Sequence, residues 1–354
     1  AHVREALGQA FSDFGEEVEV HYVKTLPTAS LPKRAAAVAT AIAESGAPLG
    51  APVHLVGHST GGLDARLFSS PGVTLPSEHK VEELASRVAT VVAVATPHYG
   101  TPLASLFTSL AGEQVLRVLS ALTLHGIRLG TMPLPALVAL AGTLPRMGKL
   151  QGPLLSILDQ VYRQLLQDFD ESRRIEIEDF LSETRGDRSL LPQLAPDSLQ
   201  LFNAATTLRP TTRHGCVVTQ ARPPSMESTI AIGLSPSGQA IYSLYRALYQ
   251  LASVMPETAT PTPTEAQAKQ LARAFGELPS ARCNDAIVPT RSQVWGEIVH
   301  AAWADHLDVI GHFSGPELTP PHVDWLATQS KFSRAAFENL WRDITRFILR
   351  IESS

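Results

Sequence analysis

The sequence predicts an α/β fold: a mostly parallel sheet flanked by helices, with a large helical cap inserted into it. Three observations predict it. The apolar runs Val53–Val56 and Val88–Ala95 are short and read as strands buried on both faces. Helix-patterned segments alternate with them, as they do in a parallel sheet. The alternation then stops between Thr101 and Arg213, where no run reads as a strand, and resumes afterwards.

Taken in order, Ala1–Ala10 reads as a helix and Val18–Val23 as a strand with Val18, Val20 and Tyr22 on one face. Leu31–Glu44 is an alanine-rich helix with Pro32 in its first turn, and Gly46–Pro52 breaks it. The strand Val53–Val56 leads into a helical segment, Thr60–Phe68. Leu103–Gly130 and Leu154–Asp168 carry helical apolar spacing, whereas Glu171–Thr184 is mixed and charged. Cys216–Thr219 resumes the strands, Gln239–Met255 is a helix bearing Tyr242, Tyr245 and Tyr249, and Thr258–Thr264 is a Pro/Thr loop. Ala286–Val288 is expected to close the strand series, and Ser333–Ile351 is a final amphipathic helix. The division is a core of residues 1–100 and 213–354 with a cap, or lid, of 101–212 between its blocks.

The chain has 354 residues, of which 44% are hydrophobic and 18% charged, which excludes a disordered chain. A formal charge of −5 argues against a nucleic-acid partner held by backbone electrostatics. Cys216 and Cys283 are too few for a disulfide scaffold and lack CxxC spacing; one bond or two buried thiols both fit. The apolar stretch Leu129–Pro145 is broken by Pro133 and Pro135 and is too short to span a membrane, so no transmembrane segment is expected. The chain contains no signal-peptide pattern, which leaves its location open, secretion included.

Gly57-His58-Ser59-Thr60-Gly61 fits G-x-S-x-G, and Gly62 follows. Such a match arises by chance roughly 0.1 times in a chain of this length. Its context is what the chemistry needs: a strand enters and a helix leaves, putting the serine on a strained turn. Small residues two before and two after it relieve the crowding. The helix N-terminus aims free N–H groups at developing negative charge, and Thr60 N–H is the expected oxyanion donor. A serine hydroxyl also needs an imidazole base and a carboxylate behind it, in the chain order Ser, acid, His. His300, His306, His312 and His322 follow Pro289. Asp285, 21 residues before His306, precedes a short apolar run, as an acid at the carboxyl end of a sheet does; a turn aspartate beside Asn284 looks the same. Asp305, Asp308 and Asp324 are its rivals.

VHLVGHSTGGLDARLF, ATPHYGTPLA, NDAIVP and DHLDVIGHF occur in the order seen in the bacterial triacylglycerol lipases of the α/β-hydrolase fold, which this sequence resembles over its core. The resemblance implies a carboxylic-ester hydrolase acting on lipid or other acyl esters through Ser59, His306 and Asp285. No required cofactor is implied, and the cap is a candidate for contact with a lipid interface. It makes Thr96–Thr101 a structural loop near the site, in which His98 reads as structural rather than catalytic; Asp64 and Arg66, on the helix after the nucleophile, read as packing and charge-pairing residues. In some members the position of Asp308 supplies a calcium ligand that steadies the histidine loop, so a structural calcium is a further expectation; His312 stands where those lipases commonly have an oxygen ligand. An acyltransferase of the same fold and an inactive hydrolase fold used for binding are the competing readings.

In the family pattern a strand ending in His-Gly precedes the first helix and supplies the second oxyanion N–H. His125-Gly126 and His214-Gly215 both follow the nucleophile, so that donor is unassigned. The expectation is that residues upstream of Ala1 carry this strand, without which the sheet has a bare edge.

Overall fold

A computed structural model describes residues 2–48, 50–129, 132–149, 152–315 and 324–351. Four strands, β1 (Val53–His58), β2 (Val88–Val94), β3 (Arg213–Gln220) and β4 (Glu297–Trp303), form one parallel sheet in the order β1-β2-β3-β4. The helices of the first block are α1 (His2–Asp13), α2 (Leu31–Glu44), α3 (Thr60–Ser69) and α4 (Val81–Ala85). The stretch between β2 and β3 is all helix: α5 (Pro102–Phe107), α6 (Leu110–Leu129), α7 (Leu134–Thr143), α8 (Gly152–Gln167), α9 (Glu171–Gly186), α10 (Leu190–Gln193) and α11 (Pro196–Ala205). After β3 come α12 (Met226–Ala231), α13 (Pro236–Ala252), α14 (Glu265–Phe275) and α15 (Arg334–Leu349).

Parallel strands need both faces covered, and two clusters cover them. On one face Leu31, Ala35 and Ile42 of α2 and Leu63 and Phe68 of α3 pack against Val88 and Val91, and α14 continues that layer with Leu271 and Phe275 against Cys216 and Val218. On the other face Leu7 and Phe11 of α1 and Trp341, Ile344 and Phe347 of α15 pack against Val92, Val94 and Val217. The inserted helices build a third cluster around Val115, Val118, Leu137, Leu140, Leu158 and Leu165. Tyr242, Tyr245 and Leu248 of α13 join it, as does Ala286 from a loop of the core. The last inserted helices behave differently: Leu190, Leu194 and Leu199 bury against the α2–α3 layer.

Two expected strands are absent. Val18–Val23 pairs with nothing among the described residues, and Val18, Tyr22 and Val23 are exposed. Its alternation is strand-like, but a strand needs a neighbour to receive its backbone groups. Ala286–Val288 is a tight loop rather than a strand: Ala286 has φ 82° and only the bridge Asn284–Pro289 is ladder-like. The fourth strand is instead Glu297–Trp303, and the third is longer than Cys216–Thr219 at both ends. Leu103–Gly130 divides into α5 and α6. Cys216, buried in β3, and Cys283, in a loop, are both free thiols. Among the described residues no helix is long and apolar enough to cross a membrane.

Candidate active site

Ser59 follows the last residue of β1 and caps α3 with φ 54° and ψ −127°. That backbone state costs an L-residue about 1–3 kcal/mol and persists only where the surroundings enforce it. Here they do. Ser59 N–H donates to the Val94 carbonyl at 2.9 Å, and Gly62 N–H donates to the Ser59 carbonyl at 3.1 Å. A side chain on Gly57 would place its Cβ 2.3 Å from the Gly61 carbonyl carbon and oxygen and 2.5 Å from Gly62 N. One on Gly62 would meet Thr96 Oγ1 at 2.1 Å. Gly61, expected to be a spacer, has nothing within 4 Å of its would-be Cβ. The second steric demand therefore falls one residue later, at Gly62, where the helix presses on the loop after β2.

Thr60, the expected oxyanion donor, opens α3. Its Oγ1 accepts from Arg34 Nη2 at 3.1 Å. The same guanidinium grips Asp64 with Nε–Oδ2 at 3.0 Å and Nη2–Oδ2 at 2.7 Å, and donates from Nη1 to the Leu26 carbonyl at 3.0 Å. Arg34 and Asp64 are buried, so this pair ties α2 to the first turn of α3 away from solvent. Burial lifts the Asp64 carboxyl and Arg34 opposes the lift. A second oxyanion donor remains unassigned: β1 is an edge strand, and no described residue pairs with its outer side.

Asp285 and His306 meet. His306 Nδ1 donates to Asp285 Oδ2 at 2.9 Å, and His306 N–H donates to the Asp285 carbonyl at 3.0 Å. Both residues are buried. Asp285 sits in the segment between α14 and β4, docked beside the end of β3, where Ala221 N–H donates to the Asn284 carbonyl at 2.9 Å; His306 sits in the loop after β4. Asp285 Oδ2 also accepts from Thr219 Oγ1 at 2.8 Å and Gln293 Nε2 at 3.2 Å. Its Oδ1 accepts from the N–H groups of Ile287 at 3.0 Å and Val288 at 2.7 Å. Five donors fix the carboxylate plane, and a proton on Nδ1 leaves Nε2 of His306 with a lone pair. His58 Nε2 donates to the His306 carbonyl at 2.8 Å, and the two rings lie 4.7 Å apart.

The rival aspartates lie elsewhere. Asp305 and Asp308, both buried, and the partly buried Asp324 are bonded to backbone N–H groups, and the first two also to the hydroxyls of Thr328 and Ser330. Burial, then repulsion from the neighbouring carboxylates, raises Asp305 and Asp308, the latter to about 8, and burial raises Asp324. Among the described residues no group of three His, Cys, Asp or Glu side chains has a metal-holding arrangement. His312 packs on Trp325, His300 Nδ1 bonds Asp343 Oδ2 at 2.8 Å, and His322 lies outside the described residues.

His98 is fully buried and its Nδ1 accepts from Arg66 Nη1 at 3.0 Å. Arg66 pairs with no carboxylate among the described residues. It lies 3.3 Å over the Trp295 ring and donates to Asn203 Oδ1 and Thr206 Oγ1. Asp64 therefore pairs as expected, whereas Arg66 is held by stacking and neutral acceptors. Sequence reasoning missed Arg34, His58, Thr219 and Gln293. Only His58 carried a signal, its place inside the nucleophile motif.

Ser59 follows β1, His306 follows β4 and Asp285 docks beside the end of β3, so all three lie at the carboxyl edge of the sheet, where sites of open α/β sheets gather. No protein-family model and no curated protein sequence matches the chain. Among solved structures, the Staphylococcus hyicus lipase is similar over 99% of this chain and 88% of its own, with a TM-score of 0.52 at 15% identity. A metagenomic carboxyl esterase is similar over 97% of this chain and 70% of its own, with a TM-score of 0.45 at 18% identity. Lipase 1 from Pelosinus fermentans is similar over 96% and 91%, with a TM-score of 0.47 at 15% identity. With its parallel sheet, helices on both faces and the match to the Staphylococcus lipase, this chain has the α/β-hydrolase fold.

Proposed function

We propose that this protein hydrolyses carboxylic esters, with acyl esters of lipids as its substrate class, through Ser59, His306 and Asp285. The observation that carries the reading is the buried Asp285–His306 pair at 2.9 Å, tied to His58, the residue beside a strained serine. His306 Nε2 takes the proton of Ser59 Oγ as the oxygen attacks the ester carbonyl. Asp285 orients the ring and stabilises the imidazolium. The tetrahedral oxyanion receives the Thr60 N–H, and collapse expels the alcohol with the proton that His306 returns. Water, activated by the same imidazole, then releases the acid. The inserted cluster favours an apolar acyl group. It packs directly against Ala286, Ile287 and Leu307, the neighbours of the acid and the base.

A chain-length series of p-nitrophenyl esters tests this. Hydrolysis that prefers the longer acyl chains and disappears in Ser59→Ala is expected. No hydrolysis of any chain length, or equal rates in Ser59→Ala, contradicts it.

A further inference from the structure

We propose that His58 is a positioning residue for His306: it donates a hydrogen bond to the backbone carbonyl of the base and so ties the base loop to the nucleophile turn. The inference rests on the triad reading above.

The sheet order makes such a tie necessary. Ser59 leaves β1 and His306 follows β4, and these are the two outer strands. Three strand spacings, about 14 Å in all, separate the roots of nucleophile and base. The base loop must therefore reach back over β3 and β2. Asp285 secures one side of this span, because it takes the His306 N–H at 3.0 Å and the ring Nδ1 at 2.9 Å. Both of those contacts come from the β3 side. From the nucleophile side, His58 Nε2 donates to the His306 carbonyl at 2.8 Å, between residues 248 apart in the chain. The peptide groups on either side of the base are thus held by the acid and by the neighbour of the nucleophile. The His58 ring also packs at 4.7 Å from the His306 ring, tilted by 44°.

The chemistry of His58 suits this task. A carbonyl can only accept, so Nε2 of His58 carries the proton. Burial first, and then the His306 charge, push its pKa down to about 3; Asp285 and His312 are the other titratable groups that face it. A neutral His58 keeps the hydrogen bond without placing a second positive charge beside the imidazolium that forms during catalysis. His58 touches neither substrate nor reacting atoms in this account. Its effect is on where His306 stands, and a shift of about 1 Å can cost 10²-fold in turnover.

The test is steady-state hydrolysis of a p-nitrophenyl ester by the intact protein and two variants, with folding checked by circular dichroism and melting temperature. His58→Leu fills the space without a donor. His58→Gln carries an amide N–H close to the position of Nε2. The expected result is a kcat lowered about 10- to 100-fold in His58→Leu with KM within a factor of three, and recovery of most of that kcat in His58→Gln. A folded His58→Leu with the wild-type kcat overturns the inference while leaving the triad intact. Equal losses in both variants overturn it as well, because they assign His58 to packing alone. A wild type that hydrolyses no ester overturns the triad and this inference together.

Discussion

Adding one methyl group at Gly57 and at Gly61, four residues apart in the same turn, is expected to have opposite effects. At Gly57 the new Cβ lies 2.3 Å from two backbone atoms of Gly61 and 2.5 Å from a third at Gly62. Ordinary contact begins near 3.4 Å, so the overlap exceeds 1 Å, and backbone cannot rotate away as a side chain can. Overpacking of this kind costs about 1–3 kcal/mol. The displaced atoms are the first turn of α3, which also supplies the Thr60 N–H, so turnover should fall about 10²-fold in Gly57→Ala. Gly61 lies within α3 at a negative φ with an empty Cβ position. Exchanging helical glycine for alanine there should stabilise the fold by about 0.5–1 kcal/mol. Urea unfolding of both variants, with ester hydrolysis of Gly57→Ala, measures the contrast. Equal stability changes at the two positions, or an undiminished rate in Gly57→Ala, would refute the steric account of the turn.

Two further predictions concern buried charge. Arg34→Met leaves Asp64 without its partner and should cost about 3–5 kcal/mol in urea unfolding, whereas Arg34→Met with Asp64→Leu should recover much of that loss; a double variant no better than the single one contradicts the pairing. His214 has no hydrogen-bond partner among the described residues, and burial, then the charge of Arg66, lowers its pKa to about 4. A folded-state pKa below the unfolded value near 6.5 gives stability that is whole above pH 6.5 and is lost as pH falls toward 4, about 3 kcal/mol in all. His214→Phe should flatten that part of the urea-midpoint profile, and an unchanged slope between pH 6.5 and 4 would count against it.

Where the fold was legible in the sequence, the signal was local. Val53–Val56 and Val88–Ala95 read as strands from their short, mainly apolar runs; β2 is buried as expected, whereas β1, expected to be covered on both faces, is an outer strand and only partly buried. α2 and α3 were legible from Pro32 and from the Gly57–Gly62 turn. β4 was not. Its sequence EIVHAAW carries Glu297 and His300 on an outer strand that is only partly buried, so the apolar run that marks a central strand is missing. Val18–Val23 misled for the opposite reason: its alternation is strong, but pairing is a property of a neighbour, and no described residue pairs with it. Ala286–Val288 misled because a positive φ at a non-glycine residue leaves no mark in composition. Within the site, Ser59 was readable from its motif, while Asp285 and His306 were separated from rival carboxylates and histidines by the lipase resemblance rather than by the residues themselves. The groups that hold them could not be read at all. Arg34 reaches Asp64 across 30 positions, Thr219 reaches Asp285 across 66, and His58 reaches His306 across 248, so each depends on the finished topology.

The most direct test of the central claim is peptide mapping of the adduct formed by a fluorophosphonate probe, with labelling rates for Asp285→Asn and His306→Ala. The account predicts a single adduct on Ser59 whose formation slows by about 10³-fold or more in either variant. No adduct, an adduct on another residue, or wild-type labelling rates in both variants would contradict it.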